Sequence, residues 1–167
     1  MLEVLPIQAK IEQEAICARC GVEYDADCMA YRATIDGVLT GICQFRMSDR
    51  GGVIRDLATV QGQTLNDRDR VESLCVLGRA SLNFIDLCGV HRAFFDDAAF
   101  LRDNQGLVRS IGFTPEADGR WGMDLTDFFR NSTCRSPIGN HINLKKSRHN
   151  TFYLRNNYNI VREVSSS

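Results

Sequence analysis

The chain has 167 residues, 44% hydrophobic and 25% charged, with a net charge of −1. That is enough apolar material for one core of domain size and too much for a disordered chain. No apolar run approaches the roughly 20 residues needed to span a bilayer. Met1 to Gln8 also lacks a basic stretch followed by an apolar one, so a soluble, cytoplasmic protein without membrane contact is expected.

In chain order, Leu2 to Ile7 reads as a short strand. Gln8 to Cys20 follows as an amphipathic helix with Ile11, Ala15 and Ala18 on its packed side and Gly21 past its end. Met29 to Ile35 and Val38 to Met47 are strands joined by a tight Asp36-Gly37 turn. Ser48 to Gly52 turns into a third strand, Val53 to Val60, completing an antiparallel meander. After a polar link, Gln61 to Asp67, apolar residues at Val71, Leu74, Cys75, Leu82 and Ile85 recur every three or four positions and line one helix face. Gly89 ends that helix, and Val90 to Phe95 suits a short buried strand. A strand-helix-strand unit of this length is a crossover and joins parallel neighbours. A second helix over Leu101 to Ile111 and a hairpin from Phe113 to Leu125, turning at Ala117-Asp118-Gly119, complete the body. Trp121 in its last strand reads as a core anchor, and Phe94-Phe95 and Phe128-Phe129 as packing residues.

From Asn131 the character changes. The first 130 residues carry 14 basic and 20 acidic side chains, whereas Arg135, Lys145, Lys146, Arg148, Arg155 and Arg162 face one acid, Glu163, in the remainder. We therefore divide the chain into a body, residues 1–130, and a basic, Asn-rich C-terminal extension, residues 131–167, in which Thr151 to Tyr158 could form an edge strand. The run Lys145-Lys146-Ser147-Arg148-His149, with Phe152 and Tyr153 beyond, is short for a nucleic-acid site and reads as a solvated segment, so nucleic acid is not an expected partner. The opposite charges of tail and body would allow a homodimer.

Seven cysteines, an odd number, are spread over positions 17, 20, 28, 43, 75, 88 and 134. In a chain able to build its own core they read as reduced thiols, not a disulfide framework. Cys17-Ala18-Arg19-Cys20 with Cys88 and His91 has the residue types of a tetrahedral metal site. The simpler reading is two helix ends with small buried thiols, so no metal is expected. Cys134, beside Arg135, reads as an exposed thiol.

The order of elements resembles the GNAT superfamily, the acyl-CoA-dependent N-acetyltransferases. The residues that carry the resemblance are Asp36-Gly37 followed by Val38 to Cys43, the strand Ile54 to Val60, the helix ending at Cys88-Gly89-Val90, and Leu107 to Phe113 with its closing Gly112-Phe113. It covers roughly residues 1 to 128 and implies an α/β fold with a mixed central sheet, an antiparallel meander plus a parallel crossover, flanked by helices. It also implies acetyl-CoA as acyl donor and a small-molecule or peptide amine as acceptor. The pantetheine arm would pair with backbone groups of Leu57, Ala58 and Thr59. The pyrophosphate would sit on the following helix N-terminus, at Arg68, Asp69, Arg70, Val71, Glu72 and Ser73. The family's loop carries Arg or Gln followed by spaced glycines; here the arginine is kept and no glycine is. The family's frequent Tyr acid aligns with Val108. Asp56 is the best-placed carboxylate for a general base. The alternative implied by these departures is a GNAT-like binding protein that no longer uses acyl-CoA.

Overall fold

The computed structural model describes residues 1–131 and the strands at 134–135, 141–146 and 152–155. The elements are β1 (Leu2–Pro6), α1 (Lys10–Cys20), β2 (Met29–Ile35), β3 (Val38–Ser48), β4 (Gly51–Thr59), α2 (Asp67–Leu87) and β5 (Arg92–Phe95). They continue with α3 (Ala98–Ile111), β6 (Thr114–Pro115), β7 (Trp121–Asp124), α4 (Phe128–Asn131), β8 (Cys134–Arg135), β9 (His141–Lys146) and β10 (Phe152–Arg155). The strands lie in the order β6-β7-β5-β4-β3-β2-β1-β10-β9-β8. Every pair is antiparallel except β4 with β5, which α2 joins as a crossover. This is the mixed α/β sheet expected. The strand expected at Thr151 to Tyr158 forms over Phe152–Arg155 and pairs with β1, Val4 opposite Phe152. It is not an edge strand, because β9 lies on its other side.

The β2–β3 turn is set by two residues of positive φ, Asp36 at 49° and Gly37 at 81°. Two left-handed residues give the turn whose twist matches a two-residue hairpin, and aspartate and glycine tolerate that region best.

Alternation along the strands separates two cores. Tyr31, Ala33, Cys43, Phe45, Ile54 and Leu57 point to the face covered by α2 and α3, where they join Leu74, Leu77, Leu82, Ile85 and Ile111. Tyr31 stacks on Phe45 at 5.8 Å, and Phe84 of α2 meets both rings edge-on. Ala30 and Ile42 point to the opposite face and pack against Ile16, Cys17 and Cys20 of α1. The helix α2 is buried over most of its length because it lies between sheet and α3.

The packed side of α1 is not the one expected. Ile11, Ala15 and Ala18 face outward, Ile11 at 79% exposure, while Gln13, Ile16, Cys17 and Cys20 are buried. Both stripes have helical spacing. The inward one wins because Gln13 finds hydrogen-bond partners inside, so its burial leaves no amide unpaired. Trp121 is also less central than expected: it is partly buried at the rim, with the Arg109 guanidinium 4.9 Å from its ring centre. No helix among the described residues is long and apolar enough to cross a membrane.

Candidate functional site

The site grows out of one topological fact. β4 and β5 pair only at Gly52, Val53 and Ile54, opposite Ala93, Phe94 and Phe95. A last bond runs from Asp96 N–H to the Ile54 carbonyl at 2.9 Å. Asp97 then caps α3, its carboxylate accepting from Phe100 N–H at 2.9 Å, and the chain leaves the sheet. β4 runs on from Arg55 to Thr59 with β3 on one side and, among the described residues, no strand on the other. A strand edge of this kind offers backbone donors and acceptors to an extended ligand.

The divergence coincides with a bulge. Gln44 pairs with Asp56 and Phe45 with Ile54, leaving Arg55 as an extra residue. A bulge bends its strand and re-aims side chains. Arg55 consequently meets the segment that precedes β2, and Asp56 lies beside it. The Arg55 guanidinium lies 3.5 Å from Glu23, 3.6 Å from Asp25 and 3.4 Å from Asp56. Asp56 Oδ2 also accepts from Gln44 Nε2 at 2.7 Å. Burial pushes the Asp56 carboxyl above the usual carboxylate range; Gln44 and Arg55 act against this, while Asp97 and Asp25 add to it. A carboxyl so placed has a higher proton affinity than an exposed one, which suits a general base.

Of the residues expected along the pantetheine arm, Leu57 turns its side chain wholly into the core, whereas Ala58 and Thr59 are partly exposed. All three lie on the open stretch of β4. Gly41, opposite Thr59, lets β3 and β4 come this close: a Cβ there would lie 2.6 Å from the Ala58 carbonyl oxygen.

The residues expected at the pyrophosphate, Arg68 to Ser73, form the first turns of α2, which starts at Asp67 where the polar link ends. N–H groups of Val71, Glu72 and Ser73 fall where helical bonding to the fourth residue back uses them. Ser73 Oγ is buried against Thr40 Oγ1 at 3.0 Å, and Glu72 holds Arg68 at 3.1 Å. Arg70 donates to Asn104 at 3.0 Å. At the true N-terminus, Asn66 Oδ1 takes the Asp69 N–H at 2.7 Å, and Asp67 and Asp69 place carboxylates in the first turn. The helix end is thus capped and acidic, and its two carboxylates oppose an anion there. Asn66 as an N-cap three residues before Asp69 was the available sequence signal for this start.

Val108, aligned with the family's Tyr, is buried in the core and has no proton to give. Cys17 and Cys20 lie in the α1 cluster, where burial pushes their thiols up to about 11 and about 12, well away from thiolate character. Cys88 and His91 follow α2, His91 bonding to Asp86 at 2.7 Å. Among the described residues, no three His, Cys, Asp or Glu side chains gather as metal ligands. The side chains of Cys134, Lys145, Lys146, Phe152 and Tyr153, and residues 147–149, lie outside those described.

Gln44 and Gln13 were not read as site residues from the sequence. The visible signal was an uncharged amide inside the otherwise apolar run Gly41 to Phe45.

No family model matches the chain, and no curated protein matches it. Solved structures do match in fold. The spermidine/spermine N-acetyltransferase SpeG from Vibrio cholerae is similar over 79% of this chain and 99% of its own, with 9% identity and a TM-score of 0.56. A GNAT-family protein from Desulfovibrio desulfuricans is similar over 75% of this chain and 99% of its own, with 10% identity and a TM-score of 0.54. Together with the split between β4 and β5, these matches establish that the chain has the fold of the GNAT N-acetyltransferases.

Proposed function

We propose that this protein is an N-acyltransferase that takes an acyl group, acetyl by family resemblance, from a coenzyme A thioester and passes it to a small-molecule or peptide amine. The observation that carries this reading is the open edge of β4 from Arg55 to Thr59, with a half-buried carboxylate, Asp56, on the same stretch. Amide groups of a pantetheine arm would pair with backbone groups of Leu57, Ala58 and Thr59 as an added strand does. A strand N–H would polarise the thioester carbonyl.

The acceptor arrives as an ammonium ion. Asp56 takes one proton, directly or through water, and the freed lone pair attacks the thioester carbon. The tetrahedral intermediate collapses with cleavage of the C–S bond. With valine at 108, the second nitrogen proton reaches the departing sulfur through water. Asp56 then returns its proton to solvent.

The acidic, capped start of α2 favours a second reading, a binding protein on this scaffold that no longer uses acyl-CoA. Arg68, Asp69, Arg70, Val71, Glu72 and Ser73 would then be helix residues with no phosphate to hold. Calorimetric titration with acetyl-CoA, with coenzyme A as control, separates the two. Micromolar binding supports the transferase and justifies screening amines for acylation. No binding at millimolar ligand removes that reading and leaves the binding protein.

A further inference from the structure

We propose that Gln44 is a positioning residue for Asp56, a fixed amide donor that holds one carboxylate oxygen and leaves the other for the acceptor amine. The inference rests on Asp56 acting as the base, as proposed above. Gln44 is wholly buried and stands opposite Asp56 across the β3–β4 ladder. Its Nε2 donates to Asp56 Oδ2 at 2.7 Å and to the Glu23 carbonyl at 2.8 Å. Its Oε1 accepts from Gln13 Nε2 at 2.9 Å and from Asp25 N–H at 3.3 Å. A carboxamide has two donor hydrogens and two strong acceptor positions, so each end meets two partners.

That arrangement fixes which way the amide points. Exchanging the nitrogen and oxygen would turn Oε1 onto a carboxylate and a carbonyl, and Nε2 onto two N–H groups. All four contacts would become repulsive, and at a buried position no water replaces them. Gln13, itself buried on α1, is held by the Cys28 carbonyl at 3.2 Å, so the chain of amides is anchored in the backbone. Among the described residues, the contacts of the Asp56 carboxylate with Gln44 and Arg55 both fall on Oδ2. Oδ1 is therefore the oxygen available to accept a proton.

The other groups that act on Asp56 are Arg55 on its own strand, Asp25 before β2, Asp97 ahead of α3, Cys17 on α1 and Cys43 on β3. Both thiols are protonated at neutral pH, so Gln44 and Arg55 are the groups that favour the ionised carboxylate. The amide bond to an ionised partner is of the stronger, charge-assisted kind.

The test is a carbon-13 NMR titration of the Asp56 carboxyl in the full chain, wild type against Gln44→Met, which keeps the volume and removes the donor. The proposal expects the Asp56 midpoint to rise by about one pH unit, a tenfold change in proton affinity. Where acylation is measurable, the acid limb of kcat/KM should move with it. An unchanged midpoint in a folded Gln44→Met protein overturns the proposal. If that variant does not fold, the wild type still decides: the Gln44 side-chain N–H resonances should titrate with Asp56, and their indifference to it overturns the proposal equally. Neither titration needs an acyl donor. A shifting Asp56 in a protein that acylates nothing would count against the transferase reading and not against the Gln44 contact.

Discussion

Gly41→Ala probes the close approach of β3 and β4 beside the open edge. Gly41 does not have a positive φ, so the substitution brings no backbone strain of its own, and any cost is steric. The new Cβ would lie 2.6 Å from the Ala58 carbonyl oxygen and 3.2 Å from Leu77 Cδ1. Leu77 can shift its methyl group, but the Ala58 carbonyl belongs to the β4 backbone and cannot yield without moving the strand. Overpacking of this kind costs about 1–3 kcal/mol. For a chain of this length that lowers Tm by about 2–4 °C per kcal/mol, hence roughly 2–12 °C. Urea unfolding measures it as a lower midpoint at unchanged slope. Acetyl-CoA affinity should fall as well, because the residue displaced, Ala58, lies on the donor edge. A variant that unfolds within 0.5 kcal/mol of wild type, in order-of-magnitude terms no change, would refute the steric argument.

Three further substitutions bear on the account. Gly106→Ala has the opposite sign: the position is exposed within α3 and a Cβ there meets nothing within 4 Å. It should stabilise by about 0.5–1 kcal/mol in the same urea assay. Asp56→Asn should abolish acyl transfer yet raise Tm at neutral pH. The folded-state carboxyl has its proton affinity raised, so ionising it disfavours the fold above that range. The Tm gain should shrink as pH falls and the wild-type carboxyl becomes protonated; a gain that grows towards acid would contradict the sign. The double change Asp67→Asn with Asp69→Asn removes the carboxylates from the start of α2. It should tighten coenzyme A binding about threefold to tenfold at low salt and less at high salt, at a modest loss of helix stability. Unchanged calorimetric affinity would mean that the nucleotide does not approach this helix end.

The sheet was readable because its signals are local and redundant. Asp36-Gly37 names its own turn, the run Val53 to Val60 is β-branched at both ends, and the α2 pattern at Val71, Leu74, Cys75, Leu82 and Ile85 matches the face that packs on the sheet. The face of α1 was not readable, because two stripes of helical spacing overlap on 11 residues and the choice depends on where Gln13 finds partners. The same holds for the site. Asp56 could be singled out as a carboxylate on a central strand. Gln44, which holds it, is marked by partners 12 to 31 residues away in sequence. The start of α2 was legible in the polar link Gln61 to Asp67, which ends where the helix begins. From there the chain runs as helix through Arg68 to Ser73, with Asn66 as its cap.

The central claim is that an acyl thioester lies along β4 beside Asp56. The most direct measurement is a backbone amide NMR titration of the protein with acetyl-CoA. The account predicts that the largest shifts fall on Leu57, Ala58 and Thr59 and on the neighbours of Asp56, with small ones at Arg68 to Ser73. Shifts confined to other surfaces, or none at millimolar acetyl-CoA, would contradict it.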